Sequence, residues 1–266
     1  MTGRISYTVL GCGSSAGVPR LGGHWGECDP ANPKNARLRC ALLVTRETPE
    51  GITRVLVDTG PDLRTQLLRA GVGELDGVVY THAHADHVHG IDDLRQVVFN
   101  IRRRLDVWAD EPTSEALLHR FDYVFVQPPG SSYPPILNLQ PITGAFEVTG
   151  AGGTIPFVPF RANHGSIDAL GFRIGDVAYL PDALELTDDA WPVLSGLDCW
   201  IVGALRRKPH PTHAHLERTL GWITRAAPRE AVITNMHIDL DYDDVMAETP
   251  DNVVPAYDGL TLSYDL

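Results

Sequence analysis

The chain has 266 residues, 43% of them apolar, and its 34 acidic against 22 basic residues give a formal net charge of −12. That balance excludes long nucleic acid as a default partner, because the surface repels a polyanion unless its basic residues cluster. The apolar content is enough for the core of one compact domain over 1–266. The opening MTGRISYTVLGCG carries one arginine and no apolar run of signal-peptide length, and no window approaches the roughly 20 apolar residues of a membrane helix. A cytoplasmic protein with no membrane partner is expected. Cys12, Cys28, Cys40 and Cys199 show no CxxC spacing, so buried thiols are expected rather than disulfides or a cysteine zinc site.

In chain order, ISYTVL reads as a strand before a long glycine-rich loop over 11–35, and CALLVT and TRVLVDT read as paired antiparallel strands. A helix from Pro61 to Ala70 follows, with proline at its start and Gly71 past its end, and then the buried strand GVVYT. DDLRQVVFNIRRR reads as a helix, LDVWAD as a strand, and TSEALLHRF as a helix entered from Thr113 or Ser114. The proline-rich VQPPGSSYPP interrupts both periods and marks a half boundary or a loop at a site. Beyond it come ILNLQPI, AFEVTG, TIPFVPFRA, LGFRIGDVAYL and CWIVGAL as strands, LERTLGWITRA as a helix, AVITNM as a strand, and closing strands near VVPAYDGLTLSY. The second half repeats the order of the first. Two such halves with sheets face to face and helices outside form a four-layer αββα sandwich, an α/β fold.

The segment THAHADHVHG sets His82, His84, Asp86 and His87 just past a strand end, where sites are assembled on such scaffolds. Imidazole suits zinc, iron and manganese, and Asp86 adds a hard oxygen. The order His-x-His-x-Asp-His is too improbable to be a chance run of loop histidines, and the set exceeds the needs of one tetrahedral ion with an open position. Single polar residues at the ends of later apolar runs supply further candidate ligands: His164 in RANHGS, Asp182 in YLPDAL and His237 in TNMHID. Asp58 in LVDTG is either a turn aspartate or a carboxylate that orients a ligand.

Through LVDTG, THAHADH, His164, Asp182 and His237, the sequence resembles the metallo-β-lactamase superfamily. The resemblance implies the αββα fold and two divalent metal ions, zinc or manganese, with iron also accepted by such ligands. It places His82, His84 and His164 on one ion, Asp86, His87 and His237 on the other, and Asp182 between them. Asp86 would also orient the attacking water.

The β-lactamases of this fold that use two zincs carry a cysteine where this chain has Asp182. Glyoxalase II-like thioesterases lack a segment such as RRKPHPTHAHLER, which in phosphodiesterases of the superfamily places a histidine against the leaving group. His213 fits that role, with His215 and His210 behind it. GCGSSAGVPR and CDPANPKNARLRCALLV look most like the branch of PhnP-type phosphodiesterases, enzymes of phosphoribosyl 1,2-cyclic phosphate. The implied activity is hydrolysis of a small cyclic or nucleotide-like phosphodiester, with His213 protonating the departing alkoxide. Arg206, Lys208, Ser14, Ser15 and His215 are candidate substrate contacts, and a homodimer is a candidate assembly. Cys28 has no nearby cysteine partner, so an extra structural zinc in the first loop is not expected. Alternatives are tRNase Z-like RNA processing, a glyoxalase II-like thioesterase, and a metal-holding interaction module without catalysis.

Overall fold

A computed structural model describes residues 3–266, and the chain separates into two compact units. The first takes the residues up to Leu10, Ala41–Ile155 and Thr261–Leu266; the second takes Gly11–Cys40 and Pro156–Leu260. The first loop and the closing strand therefore each join the unit opposite to the one their place in the chain suggests.

In the first unit the strands are β1 (Arg4–Gly11), β2 (Ala41–Thr48), β3 (Gly51–Val57), β4 (Gly77–Val79), β5 (Leu105–Ala109), β6 (Leu137–Pro141) and β15 (Thr261–Asp265). They form a seven-stranded sheet in the order β15-β1-β2-β3-β4-β5-β6. The β2–β3 pair is antiparallel, as read from the sequence, and β3 to β6 run parallel. Parallel neighbours require crossovers, which the helices provide. Helix α1 (Leu63–Ala70) starts from Asp62 and stops at Gly71, whose φ of 65° turns its amide back onto the last carbonyls of the helix. Leu63 and Leu67 of α1, Leu94 and Val97 of α3 (Leu94–Ile101) and Leu117 of α4 (Glu111–Phe125) pack with Leu43, Leu56, Val78, Tyr80 and Val107 from the sheet. Each such side chain contributes about 1.5–3 kcal/mol on burial.

Two expectations change here. Helix α4 begins earlier than Thr113: Asp110 caps it by accepting the Thr113 amide at 3.1 Å, and a proline occupies its first turn. A carboxylate one turn upstream, followed by a ring that presets φ, outcompetes the hydroxyls of Thr113 and Ser114. The stretch VQPPGSSYPP lies wholly inside the first unit. The division instead falls within one continuous strand, β8 (Gly153–His164), between Ile155 and Pro156.

The second unit carries most of β8, with β9 (Ile167–Ile174), β10 (Val177–Leu180), β11 (Glu185–Leu186), β12 (Cys199–Gly203), β13 (Glu230–Thr234) and β14 (Val253–Pro255). The order is β11-β8-β9-β10-β12-β13-β14, and β7 (Phe146–Gly150) pairs with β8. Strands β11, β8, β9 and β10 are antiparallel neighbours, while β10, β12, β13 and β14 run parallel. Every residue of β10 and β12 is buried, which explains their unbroken apolar sequence. Helix α6 (Leu216–Ala226) lies against β12, burying Leu216, Thr219 and Ile223, and the Thr219 hydroxyl donates to Gly203 O at 2.8 Å. Two mixed sheets, each with its own helices, make the α/β class of fold expected from the sequence. Among the described residues no helix is long and apolar enough to cross a membrane.

Candidate metal centre

In the first unit, β4 ends at Val79, and His82 and His84 follow before the one-turn helix α2 (Ala85–Val88), which carries Asp86 and His87. The His82 ring centroid lies 4.7 Å from that of His84 and 4.3 Å from that of His87. Asp58, just past the end of β3, holds this segment. Its Oδ1 accepts the Thr81 amide at 2.8 Å, and its Oδ2 accepts the Thr81 hydroxyl at 2.7 Å and lies 2.7 Å from His87 Nδ1.

Those bonds fix two tautomers. A carboxylate only accepts, so His87 carries its proton on Nδ1 and leaves the Nε2 lone pair outward. With its proton on Asp58, the Thr81 hydroxyl accepts from His82 Nδ1 at 3.0 Å, and His82 likewise keeps Nε2 as a donor to an ion. Asp58 is fully buried at a φ of 66°, a left-handed conformation that aspartate tolerates better than most residues. Burial pushes its carboxyl pKa up, and His87 and Thr81 oppose that shift. Asp86 Oδ2 lies 3.6 Å from His87 Nε2.

In the second unit, His164 ends β8, Asp182 follows β10 after Pro181, and His213 stands two residues before the cap of α6. Ligand atoms of these three side chains lie within 4.8 Å of one another, a donor set able to hold a metal ion. His164 Nδ1 donates to Thr212 O at 2.7 Å and leaves Nε2 for an ion. Gly165, at a φ of 81°, makes this approach possible, since a Cβ there would overlap the Thr212 side chain. Asn235, at the end of β13, was not singled out by the sequence. It is buried at a φ of 56°, and its Nδ2 donates to Pro181 O at 3.0 Å and to Asp182 Oδ1 at 2.8 Å, orienting that carboxylate.

The three histidines before α6 separate by geometry. His213 Nε2 lies 2.8 Å from Asp182 Oδ1, and its Nδ1 lies 2.8 Å from Thr212 Oγ1 and 3.2 Å from His210 Nδ1. His210 thus stands behind His213, and burial first, then His213, lowers its pKa. His215 caps α6 without a side-chain cap bond and lies 3.9 Å from Glu217.

His237 Nδ1 lies 2.9 Å from Asp239 Oδ1, and its Nε2 meets the Arg20 guanidinium. Arg206 donates to Lys208 O at 3.0 Å and Pro209 O at 2.6 Å, holding its own turn together, and Lys208 is exposed. Ser14 is buried with its amide on Met236 O at 3.2 Å, and Ser15 is exposed.

Buried imidazoles held in metal-binding tautomers past strand ends give each of the two units a histidine- and aspartate-rich group able to hold a metal ion. The model for the Beta-lactamase superfamily domain matches residues 53–238, and the chain belongs to that superfamily. A crystal structure described as a new diphosphatase from the PhnP family is similar, with a TM-score of 0.86 and 34% identity, covering 99% of this chain and 98% of that one. An octanoyltransferase of Porphyromonas gingivalis is 32% identical over 262 residues, 97% of this chain and 51% of that protein. A ribonuclease Z of Bradyrhizobium is 32% identical over 147 residues, 53% of this chain and 45% of that protein. The chain thus spans about half the length of these curated relatives, 51% and 45%.

Proposed function

We propose that this chain is a metal-dependent hydrolase of a small phosphodiester, cyclic or nucleotide-like, of the phosphoribosyl 1,2-cyclic phosphate type. His213 carries the reading. It stands beside His164 and Asp182, 2.8 Å from the Asp182 carboxylate and backed by Thr212 and His210, and we assign it to the leaving oxygen rather than to an ion. Ester hydrolysis at phosphorus expels a strongly basic alkoxide, and a positioned imidazole that protonates it contributes about 100- to 10,000-fold.

The donors for divalent ions, zinc or manganese, would be His82, His84, Asp86 and His87 in the first unit and His164, Asp182 and His237 in the second. When bound, such ions supply an acidic water and neutralise charge on phosphate oxygens. The chain's own residues do the rest. Asp58 and Thr81 keep His82 and His87 in their ligand tautomers, Asn235 orients Asp182, and His213 holds the proton for the leaving oxygen at Nε2. Asp86 orients the nucleophile.

The similarity to a diphosphatase of the PhnP family supports substrates with a phosphoric anhydride bond as a neighbouring class. Similarity to a ribonuclease Z supports RNA processing as a second reading, against which the net charge of −12 argues. A hydrolysis screen of the metal-loaded protein tests the proposal. Bis-p-nitrophenyl phosphate and sugar cyclic phosphates should be cleaved, and thioesters, β-lactams and precursor tRNA should not. Preference for thioesters would favour a glyoxalase II-like enzyme, tRNA cleavage the RNA reading, and no metal-dependent hydrolysis a non-catalytic metal-holding module.

A further inference from the structure

His237 follows β13 in the second unit, and the backbone around it is held on several sides. Its amide donates to Leu205 O at 2.9 Å, the Leu240 amide donates to His237 O at 3.2 Å, and the Glu27 amide donates to Ile238 O at 2.7 Å. Gly26 is required there, because a Cβ would overlap the Ile238 carbonyl. The buried Arg37 guanidinium adds bonds to Leu240 O at 2.8 Å and His237 O at 3.4 Å. With the backbone of residues 237–240 fixed in this way, the ring of His237 keeps one chemical choice: which nitrogen carries the proton and which presents a lone pair.

Two contacts make that choice, and they agree. Nδ1 lies 2.9 Å from Asp239 Oδ1, and a carboxylate only accepts, so Nδ1 carries the proton. Nε2 meets the Arg20 guanidinium, whose nitrogens only donate, so Nε2 carries the lone pair. His87 on Asp58 and His164 on Thr212 O show the same arrangement, with Nδ1 on an oxygen and Nε2 as the ligand atom. Asp239 is anchored in turn. Its Oδ2 accepts the Arg207 amide at 3.2 Å, its carbonyl accepts Arg207 Nε at 3.2 Å, and the Arg207 guanidinium also pairs with Glu248 at the end of α7 (Tyr242–Glu248). The carboxylate behind His237 is thus tied to the loop after β12 as well as to its own.

The lone pair on Nε2 is what a metal ion requires of His237, and it is also what Arg20 takes. A guanidinium and a divalent ion are both cations, and one lone pair serves one of them, so the two exclude each other. Arg20 belongs to a turn closed by its own backbone. Its amide donates to His24 O at 2.9 Å, its carbonyl accepts from Gly23 and His24 at 3.0 and 3.2 Å, and Gly22 and Gly23 hold φ of 89° and 78°. The side chain can therefore withdraw from Nε2 without opening the turn that carries it.

We infer that Asp239 is the positioning residue of the metal ligand His237, holding the ring proton on Nδ1, and that Arg20 competes with the ion for Nε2. The two residues set the affinity of one ligand from opposite directions: the carboxylate raises it and the guanidinium lowers it. The inference rests on the metal-holding part of the proposed function and not on the reaction that the ions serve.

Zinc competition with a chromogenic chelator, on the full chain stripped of metal, reads both directions without turnover. Asp239→Ala should weaken one zinc ion about 10- to 100-fold, the range for loss of a group behind a ligating histidine, and Asp239→Asn, which keeps one accepting oxygen, should weaken it less. Arg20→Ala should bind zinc up to about tenfold more tightly than wild type, the factor that one displaced charge-assisted bond represents. In a His237→Ala background the effect of Asp239→Ala should vanish, because it acts through that ring alone. Histidine side-chain NMR of the metal-free chain should find His237 protonated on Nδ1. Unchanged zinc affinity in either alanine variant overturns the inference, as does protonation of wild-type His237 on Nε2, or an Asp239→Ala effect that persists without His237. A fall in affinity in both Asp239→Ala and Arg20→Ala marks a general loosening of the two turns and also overturns it. Should Asp239→Ala not fold, judged by its unfolding midpoint, Asp239→Asn carries the comparison. A chain that shows these zinc affinities yet hydrolyses no phosphoric ester counts against the hydrolase reading alone.

Discussion

At the residue scale, His213 and Asp58 do different work, and substitution separates them. His213→Ala should slow diesters with poor alkoxide leaving groups, such as methyl or ribosyl esters, by about 100-fold or more. It should barely affect p-nitrophenyl esters, whose leaving group needs little protonation, and metal content should stay near wild type. Equal loss on both substrate types, in steady-state kinetics with metal retained, would exclude the acid role. His210→Ala belongs in the same series because His210 Nδ1 stands 3.2 Å from His213 Nδ1. Asp58→Asn should act on every substrate alike. An amide cannot accept from both Thr81 and His87 as the carboxylate does, so the tautomers of His82 and His87 loosen and metal affinity falls about 10- to 100-fold. Competition with a chromogenic chelator measures that loss without reference to turnover.

At the element scale, the first loop has little regular structure and is held by side chains instead. Asp241 caps α7 (Tyr242–Glu248) by accepting the amides of Asp243 and Asp244, and it also accepts the Asp29 amide at 2.9 Å and Asn35 Nδ2 at 2.6 Å. Burial opposes its charge, yet the amides of Asp29 and Asp244 and the Asn35 side chain hold its pKa below the ordinary carboxylate value. A depressed folded-state pKa contributes stability above the unfolded value, about 3.9, that is lost as pH falls through the folded one. Urea midpoints for wild type and Asp241→Asn should therefore differ most above about pH 5 and converge below about pH 4. A difference independent of pH would show that Asp241 acts only as a neutral cap.

At the scale of the whole molecule, metal and stability are linked. Purified without chelator and loaded with manganese or zinc, the chain should hold about two ions, because the proposed ligands exceed the needs of one. Ions that bind only the folded state should raise the unfolding midpoint, by about 2.7 kcal/mol of stability at a free metal concentration 100 times the dissociation constant. Elemental analysis and thermal unfolding before and after chelation check both statements. A maximum of one ion per chain would sink the dinuclear assignment.

The strands and helices were legible because each leaves a local trace. Short apolar, β-branched runs marked β2, β3, β10 and β12, and Gly71 marked the end of α1. The cluster from His82 to His87 was legible for the same reason, since four chemically distinctive residues lie within six consecutive positions. Asn235 left no such trace: an asparagine after an apolar strand looks like any turn residue until the fold brings it 53 positions back to Asp182. Nor could spacing choose among His210, His213 and His215, because the choice depends on which ring the turn before α6 directs at Asp182. His237 reads as a strand-end histidine like His164, and only the folded first loop brings Arg20 to its Nε2. By itself, then, the sequence determined the fold class and the metal-binding segment, which rest on periodicity and on neighbours in the chain. The partners of Asp182 and His237 were decided by tertiary structure alone, because loop closure over tens to hundreds of residues sets them and no local pattern records it.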